Sequence, residues 1–251
     1  MLNVKPIKND LGPFYVWEEP VPGNEYVIGV DVAEGKMPAG FKDPTGEKRD
    51  WSVATVVEIK NGSLVCQYKS QIDVYNLAYD LMMLGYWYNE GLLAIELNSV
   101  GIGVVHLVRE AGYRNLYQPV TPDNFGSTIK PVYMIDRLYG WRTTPATRPL
   151  IIASIHEALA NNYSIPSRSL LNEMLSMVYT ERGRIEAASG KHDDEVMSYG
   201  IALVVRNEVL QLGKGQVSIE NDIPGDEKAG WKNINKFIDQ LKEKKNEPEF
   251  W

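Results

Sequence analysis

Four acidic residues stand where predicted strands end or a predicted helix begins, far apart in the chain. Asp31 follows the strand-like run in YVIGVDVAEG, Glu96 lies in LLAIELNSVG, and Asp193 and Asp194 open HDDEVMSYGIALVV. Buried carboxylates are costly unless they are paired or bound to a cation. Carboxylate oxygens suit Mg²⁺ or Mn²⁺, and clustered acids can hold two such ions about 4 Å apart. The pattern predicts a two-metal site for phosphodiester hydrolysis, with Asp31, Glu96 and Asp193 as catalytic metal ligands.

The two adjacent acids of the last predicted helix have different expected roles. On a projection of about 100° per residue, Asp193 lies within the apolar arc and Asp194 lies a quarter-turn away. We therefore expect Asp193 to face the metal and Asp194 to support it or to bind the second ion. Structural roles are the alternatives: a turn or cap for Asp31, a buried ion pair for Glu96, and stabilisation of the helix N-terminus for the adjacent pair.

The elements that position these acids belong to an α/β protein. Strand patterns precede alternating helix and strand patterns, and Asn61-Gly62 between two β-rich runs predicts a hairpin. We expect a mixed sheet, an antiparallel meander followed by parallel strands, with helices on both faces. Strands are predicted at 25–33, 51–60, 63–72, 92–97 and 115–120. Helices are predicted at 74–88, 100–110, from Pro145 or Pro149 to Asn161, at 167–178 and at 192–210, with a tight hairpin at 178–188.

Length and composition bound the domain organisation and the class of protein. The chain has 251 residues, 44% hydrophobic and 24% charged, as in ordinary globular proteins. We expect an irregular lead-in at 1–24, one domain at 25–212, and a charged, partly helical or flexible tail at 213–251. A net charge of −7 disfavours indiscriminate coating of nucleic acid but allows a nuclease with a local basic cleft. The single cysteine indicates a reducing compartment, and no apolar run approaches the ~20 residues that span a bilayer.

Competing sequence motifs are incomplete. The glycine spacing at 35–40 resembles a phosphate-binding loop, but Phe41 replaces the required lysine. The glycines at 101 and 103 lack the third glycine of a dinucleotide fingerprint, because His106 stands in its place. The histidines have no zinc-type spacing with Cys66, and no serine nucleophile elbow is present. These patterns leave the acidic residues as the best candidate for chemistry.

In the order and spacing of several motifs, the sequence resembles the C-terminal nuclease domain of the large terminase subunit of tailed bacteriophages. The resemblance spans about residues 25–205 and is carried by YVIGVDVAEG with DWSVA downstream, AIELNSVG, IPSRSLLNEM and GRIEAASGKHDDEVMSYGIA. It implies a ribonuclease H-like fold and a metal-dependent endonuclease that cuts concatemeric viral DNA during genome packaging. It places the acidic site residues of the family at Asp31, Glu96, Asp193 and Asp194, and Asp50 matches a further recurring acid.

The same resemblance implies partners and a location. Double-stranded DNA is the expected substrate, and we expect basic residues of loops and of the predicted hairpin to contact its phosphates: Lys36, Lys48, Arg49, Arg182 and Arg184. The family's ATPase motor domain is absent from this sequence, and the portal protein and small terminase subunit are further expected partners. The expected location is the host cytoplasm, transiently at the procapsid portal.

Three other functions remain open from the residues alone. Another ribonuclease H-like nuclease, such as a junction resolvase or integrase core, would use the same acids on branched or hybrid substrates. An actin-like or sugar-kinase phosphotransferase also uses an Asp at a strand end, but it needs glycine-rich phosphate loops. A docking module without activity would use the acids only as helix and turn caps.

Overall fold

A five-stranded mixed sheet forms the centre of the protein. The computed structural model describes residues 13–33, 50–119, 139–180 and 184–211. The sheet has the order β1-β4-β3-β2-β5, in which β2, β3 and β4 form an antiparallel meander and β5 runs parallel to β2. This arrangement confirms the predicted mixed sheet. Its strands are β1 (Phe14–Val16), β2 (Tyr26–Asp31), β3 (Ser52–Glu58), β4 (Leu64–Ser70) and β5 (Leu92–Ile95).

The edge strand β1 lies within the segment for which the sequence predicts irregular structure. It pairs antiparallel with β4, and the ring of Phe14 packs on that of Tyr68 with centroids 4.8 Å apart. Only three residues take part, and prolines lie on both sides, at 13 and 20. So short a strand has no hydrophobic alternation that a sequence pattern can reveal.

Helices cover both faces of the sheet, as predicted. Two of them pack with one apolar cluster of the core, and two others pack with a second cluster on the opposite face. The first pair is α1 (Val74–Trp87) and α2 (Gly101–Glu110); the second is α3 (Arg148–Ala160) and α5 (Asp194–Gln211), with the short α4 (Arg168–Ser176) beside α5. The side chain of Asp73 caps α1 by accepting hydrogen bonds from two backbone N–H groups, as the sequence predicts.

The predicted hairpin is present as an antiparallel pair. Strand β6 (Met177–Tyr179) follows α4 directly and pairs with β7 (Ile185–Ala187). The helix predicted at 167–178 therefore ends two residues early, and Met177 begins the hairpin instead. Residues 181–183, where the turn is expected, lie outside the described residues.

Helix α5 is the central helix of the fold and lies very close to β2. A Cβ atom added to Gly29 would be 2.3 Å from the backbone oxygen of Ser198 and 2.4 Å from the backbone nitrogen of Ala202. The Ser198 hydroxyl donates a hydrogen bond of 2.9 Å to the Gly29 carbonyl. Every residue from 194 to 206 is buried. This close packing places the first turn of α5 beside the carboxyl end of β2.

The chain beyond β5 is held by backbone hydrogen bonds rather than by a long strand. Isolated parallel bridges join Leu93 to Leu116 and Glu96 to Trp141. The strand predicted at 115–120 is thus reduced to a single bridge, and residues 120–138 lie outside the described part. Within the described residues, no helix combines the length and apolar character needed to span a bilayer.

Candidate metal centre

Two of the predicted acids meet at the carboxyl ends of neighbouring parallel strands. Asp31 ends β2, and Glu96 follows β5, where its backbone N–H donates a 2.8 Å hydrogen bond to the Val30 carbonyl. The Glu96 carboxyl group is close enough to Asp31 to raise its pKa. Burial, followed by the charge of Glu96 and then by those of Asp194 and Asp193, raises the pKa of Asp31 well above its ordinary value. Three other carboxyl groups, from two distant parts of the chain, therefore act on Asp31.

The adjacent acids at the start of α5 have different environments. The Asp193 carbonyl accepts a hydrogen bond from the Met197 N–H, and its side chain is 29% exposed. The Asp194 side chain is only 12% exposed, and its Oδ2 accepts a 3.0 Å hydrogen bond from the Trp51 N–H. Burial raises the pKa of Asp194 to about 6, although the Trp51 N–H stabilises its charged form. The expectation that Asp193 lies on the buried side of the helix is wrong, because residues 194–206 are buried all round and leave no single apolar arc. That Asp193 faces a metal stays a prediction.

A histidine and a further acid complete the surroundings of Asp194. One ligand atom from each of Asp50, His192 and Asp194 lies within 4.8 Å of the others. The Nδ1 atom of His192 is 3.7 Å from Oδ1 of Asp50 and 3.7 Å from Oδ2 of Asp194. Asp50 is the further recurring acid of the sequence resemblance, and it lies beside Asp194. The register of β2 against β3 explains this position, because Val53 pairs with Asp31 and so brings residue 50 to the same end of the sheet.

Arg148 joins this site to the hairpin. Its Nη2 atom lies 2.5 Å from Oδ2 of Asp193, and its Nε donates a 3.3 Å hydrogen bond to the Ile185 carbonyl in β7. This contact is not predictable from the sequence, since nothing in the spacing of residues 148 and 193 connects them. The arginine holds the Asp193 carboxylate at the edge of the site.

A second group of charged side chains lies on the other side of the same helical turn. Glu195 is fully buried and accepts hydrogen bonds from Lys69 Nζ at 2.7 Å and from Ser169 Oγ at 2.8 Å. Glu173 of α4 accepts hydrogen bonds from the backbone N–H groups of Glu195, at 2.9 Å, and Val196, at 3.2 Å. Burial and then the charge of Glu195 raise the pKa of Glu173 to about 7. This group fixes the start of α5 against α4 and β4.

The donor atoms around Asp31 fit hard divalent cations. They are carboxylate oxygens, with one imidazole nitrogen at the margin, and such donors suit Mg²⁺ or Mn²⁺. Among the described residues, no lysine or arginine forms an ion pair with Asp31 or Glu96. A divalent cation bound between these carboxylates would relieve the repulsion that raises the pKa of Asp31.

The residues expected to contact DNA are only partly within the described structure. Lys36, Lys48, Arg49 and Arg182 lie outside the described residues. Arg184 directly precedes β7, at the turn end of the β6–β7 hairpin, where it is exposed. Its carbonyl accepts a 2.8 Å hydrogen bond from the Thr180 N–H, and its own N–H donates to the Thr180 hydroxyl at 3.2 Å. The hairpin backbone thus presents Arg184 on the same element that Arg148 ties to Asp193.

Comparisons with known proteins identify related folds. No protein-family model and no curated protein matches the chain. The large terminase nuclease of the thermophilic phage G20c is similar in its magnesium-bound and cobalt-bound crystal structures, with TM-scores of 0.59 and 0.58 and 18% identity, over 80% of this chain and 90% of that one. The large terminase nuclease domain of Thermus phage P74-26 has a TM-score of 0.56 and 18% identity, over 79% of this chain and 88% of that one. These similarities establish a ribonuclease H-like fold and agree with the resemblance seen in the sequence.

Proposed function

We propose that this chain is the nuclease domain of a phage large terminase, a metal-dependent endonuclease that cuts concatemeric viral DNA during genome packaging. The observation that supports the proposal is the placement of Asp31 and Glu96 at the carboxyl ends of neighbouring parallel strands, with Asp194 hydrogen-bonded to Trp51 at the same end of the sheet. The charges of Asp193 and Asp194 both act on Asp31. The folds similar to this one include phage terminase nucleases whose crystal structures contain magnesium or cobalt. Fold and acidic site therefore support the same chemistry.

Two parts of the fold would provide the ligands for two cations, Mg²⁺ or Mn²⁺. Asp31 and Glu96 would hold cations from the sheet, while Asp194 and Asp193 would do so from the first turn of α5. Cations held there would supply activation of an attacking water and stabilisation of the charge on the leaving oxygen. Trp51 fixes the Asp194 carboxylate through its backbone N–H, and Arg148 fixes that of Asp193. The proposed metal ligands are thus located at the ends of strands and at the start of a helix.

The proposed partners follow from this function. Double-stranded DNA would approach the acidic site beside the β6–β7 hairpin, with Arg184 contacting its phosphates. We further propose an ATPase motor domain on the same or another chain, and contacts with the portal protein and the small terminase subunit. The proposed location is the host cytoplasm and, transiently, the procapsid portal.

Plasmid digestion tests the proposal most simply. Supercoiled plasmid is incubated with the protein in EDTA, Mg²⁺ or Mn²⁺, and Asp31→Asn is assayed in parallel. We expect nicking and linearisation in at least one metal, none in EDTA, and none with the variant. Cleavage that survives EDTA or the Asp31→Asn change would contradict the proposed chemistry.

A substrate panel separates this function from that of related folds. Linear duplex, a four-way junction and an RNA–DNA hybrid of matched length are digested under the same conditions. A terminase nuclease is expected to cut the linear duplex with weak sequence preference. Strong preference for the junction or the hybrid would instead indicate a resolvase-type or hybrid-cleaving enzyme.

A further inference from the structure

The residue before the first turn of a helix normally caps that helix with its own side chain. Helix α5 begins at Asp194, and the carbonyl of Asp193 accepts the first hydrogen bond of the helix, from the Met197 N–H. Asp193 is therefore the N-cap residue. An aspartate at this position ordinarily accepts hydrogen bonds from the N–H groups two and three residues ahead, here those of Glu195 and Val196.

In this protein another helix provides the cap. Oε2 of Glu173, in α4, accepts hydrogen bonds from the Glu195 N–H at 2.9 Å and from the Val196 N–H at 3.2 Å. These are the two donors that the Asp193 carboxylate would otherwise use. That carboxylate instead pairs with Arg148.

From this exchange we propose that Glu173 is a positioning residue, which caps α5 in place of Asp193 and so keeps the Asp193 carboxylate in the metal site. The inference rests on the proposed function only for the metal; the exchange of caps stands on the hydrogen bonds alone. Glu173 lies in the IPSRSLLNEM segment, one of those that carry the family resemblance. That segment is therefore connected to the acidic site through the hydrogen bonds of Glu173 with the start of α5.

Neighbouring side chains restrict the position of Glu173. Lys69 Nζ lies 3.9 Å from Oε1 of Glu173 and 2.7 Å from Oε1 of Glu195, so one ammonium group bridges both carboxylates. The Ser169 hydroxyl, in the same helix as Glu173, donates to Glu195 at 2.8 Å. The Glu173 side chain is only 13% exposed. With α4 and α5 joined by both acids, Glu173 cannot leave the helix start without disturbing Lys69 as well.

Thermal stability in a double-mutant cycle tests the exchange of caps without any assay of activity. When Glu173→Ala removes the external cap, the Asp193 carboxylate is expected to turn onto its own helix. Asp193→Ala should then lower the Tm more in the Glu173→Ala background than in the wild-type background. Asp193→Asn should be tolerated in both, because asparagine caps as well as aspartate. Equal Tm shifts for Asp193→Ala in the two backgrounds would overturn the proposal.

Mn²⁺ binding by calorimetry tests the consequence for the metal site. Glu173→Ala is expected to weaken Mn²⁺ binding by about tenfold, the size found when groups that orient metal ligands are removed. Glu173→Gln keeps an acceptor oxygen and should show a smaller loss, and it replaces Glu173→Ala if the alanine variant fails to fold. Glu110→Ala, a change of equal charge at an exposed site on α2, is the control and should leave the affinity unchanged.

The Tm cycle and the Mn²⁺ titration together distinguish the positioning role of Glu173 from the proposed nuclease function. Unchanged Mn²⁺ affinity in both Glu173 variants would contradict the positioning role. If the wild-type protein binds no Mn²⁺, the proposed nuclease function fails, and the stability cycle decides the exchange of caps by itself.

Discussion

Two neighbouring acids on opposite sides of the first turn of α5 have different partners. On one side, the buried Glu195 has an ammonium group and a hydroxyl within hydrogen-bond distance, from Lys69 and Ser169. On the other side, Asp194 faces Asp31 and further carboxyl groups, and burial and mutual repulsion raise the pKa of Asp31. We name these the anchored side (Lys69, Ser169, Glu173, Glu195) and the metal side (Asp31, Glu96, Asp193, Asp194).

The comparison of the anchored side with the metal side shows how a fold can hold repelling charges together. On the anchored side the Lys69 ammonium group lies near both Glu173 and Glu195 and offsets part of their repulsion. On the metal side no described lysine or arginine pairs with the two acids at the strand ends, so these carboxylates lower stability until a cation binds. Because the two sides share one helical turn, the anchored side can hold the metal side in a geometry that it would not adopt alone. Under the proposed function, Glu195 serves stability and its neighbour Asp194 serves metal binding.

Removal of one metal-side acid should have the largest effect on activity and no cost in stability. Asp31→Asn is expected to reduce DNA cleavage by ~10³-fold or more, since metal stabilisation of the transition state is worth several kcal/mol. The unfolding free energy in EDTA should be unchanged or higher, because one repelling charge is gone. Cleavage rates and chemical denaturation measure the two effects. A strongly destabilised Asp31→Asn would show that this side is structural too.

Removal of the cation on the anchored side should have the opposite signature. Lys69→Met leaves Glu195 buried without its ion pair, and we expect a loss of about 2–4 kcal/mol of unfolding free energy. Lys60→Met, at an exposed position just beyond β3, is the control and should change it by less than about 0.5 kcal/mol. Urea denaturation measures both. Equal stability of the two variants would mean that the anchored side contributes nothing.

The pH dependence of stability should distinguish the two sides. The pKa values of Asp194 and Glu173 are raised from 3.8 and 4.5 to about 6 and about 7, so the folded state binds more protons than the unfolded state between these values. The unfolding free energy in EDTA should therefore fall by about 2–4 kcal/mol from pH 4 to pH 8.

Mg²⁺ should divide this pH effect into two parts, because the proposed metal site lies only on the metal side. It should recover the part of the loss that comes from Asp31 and Asp194, and not the part that comes from Glu173. Thermal denaturation across this pH range, with EDTA or Mg²⁺, measures both parts. A stability that rises with pH in EDTA would contradict the assigned pKa shifts.

The smallest expected effect concerns the hairpin next to the metal side. Arg184→Ala should weaken DNA binding modestly and reduce the slope of log affinity against log salt concentration by about 1, as loss of one phosphate contact does. Arg168→Ala, at the first residue of α4, provides a charge-matched comparison. Fluorescence anisotropy at several salt concentrations measures the slopes. An unchanged slope for Arg184→Ala would remove this residue from the DNA surface.

Most of the scaffold of the site is predictable from the sequence. The Asn61-Gly62 turn, the apolar run before Glu96 and the cap at Asp73 identify a strand hairpin, a buried parallel strand and a helix, and all three are present. These are local signals. Because neighbouring parallel strands end at one edge of a sheet, they also suffice to predict that Asp31 and Glu96 lie together.

The arrangement around α5 is not predictable in the same way. A helical projection assumes one buried face, but α5 is buried all round, so it cannot rank Asp193 and Asp194. The contacts of Arg148 and Glu173 join residues 45 and 22 positions apart in the chain. No local period connects such pairs, and only the packing of α3 and α4 against α5 creates them.

A crystal structure with Mn²⁺ tests the central claim most directly. Anomalous difference density locates the ion independently of the protein atoms, and no activity is needed to interpret it. We expect Mn²⁺ peaks bounded by Asp31, Glu96 and the acids at the start of α5, and no peak beside Lys69 and Glu195. Mn²⁺ found only elsewhere, or none at saturating concentration, would contradict the assignment of this edge of the sheet as a metal site.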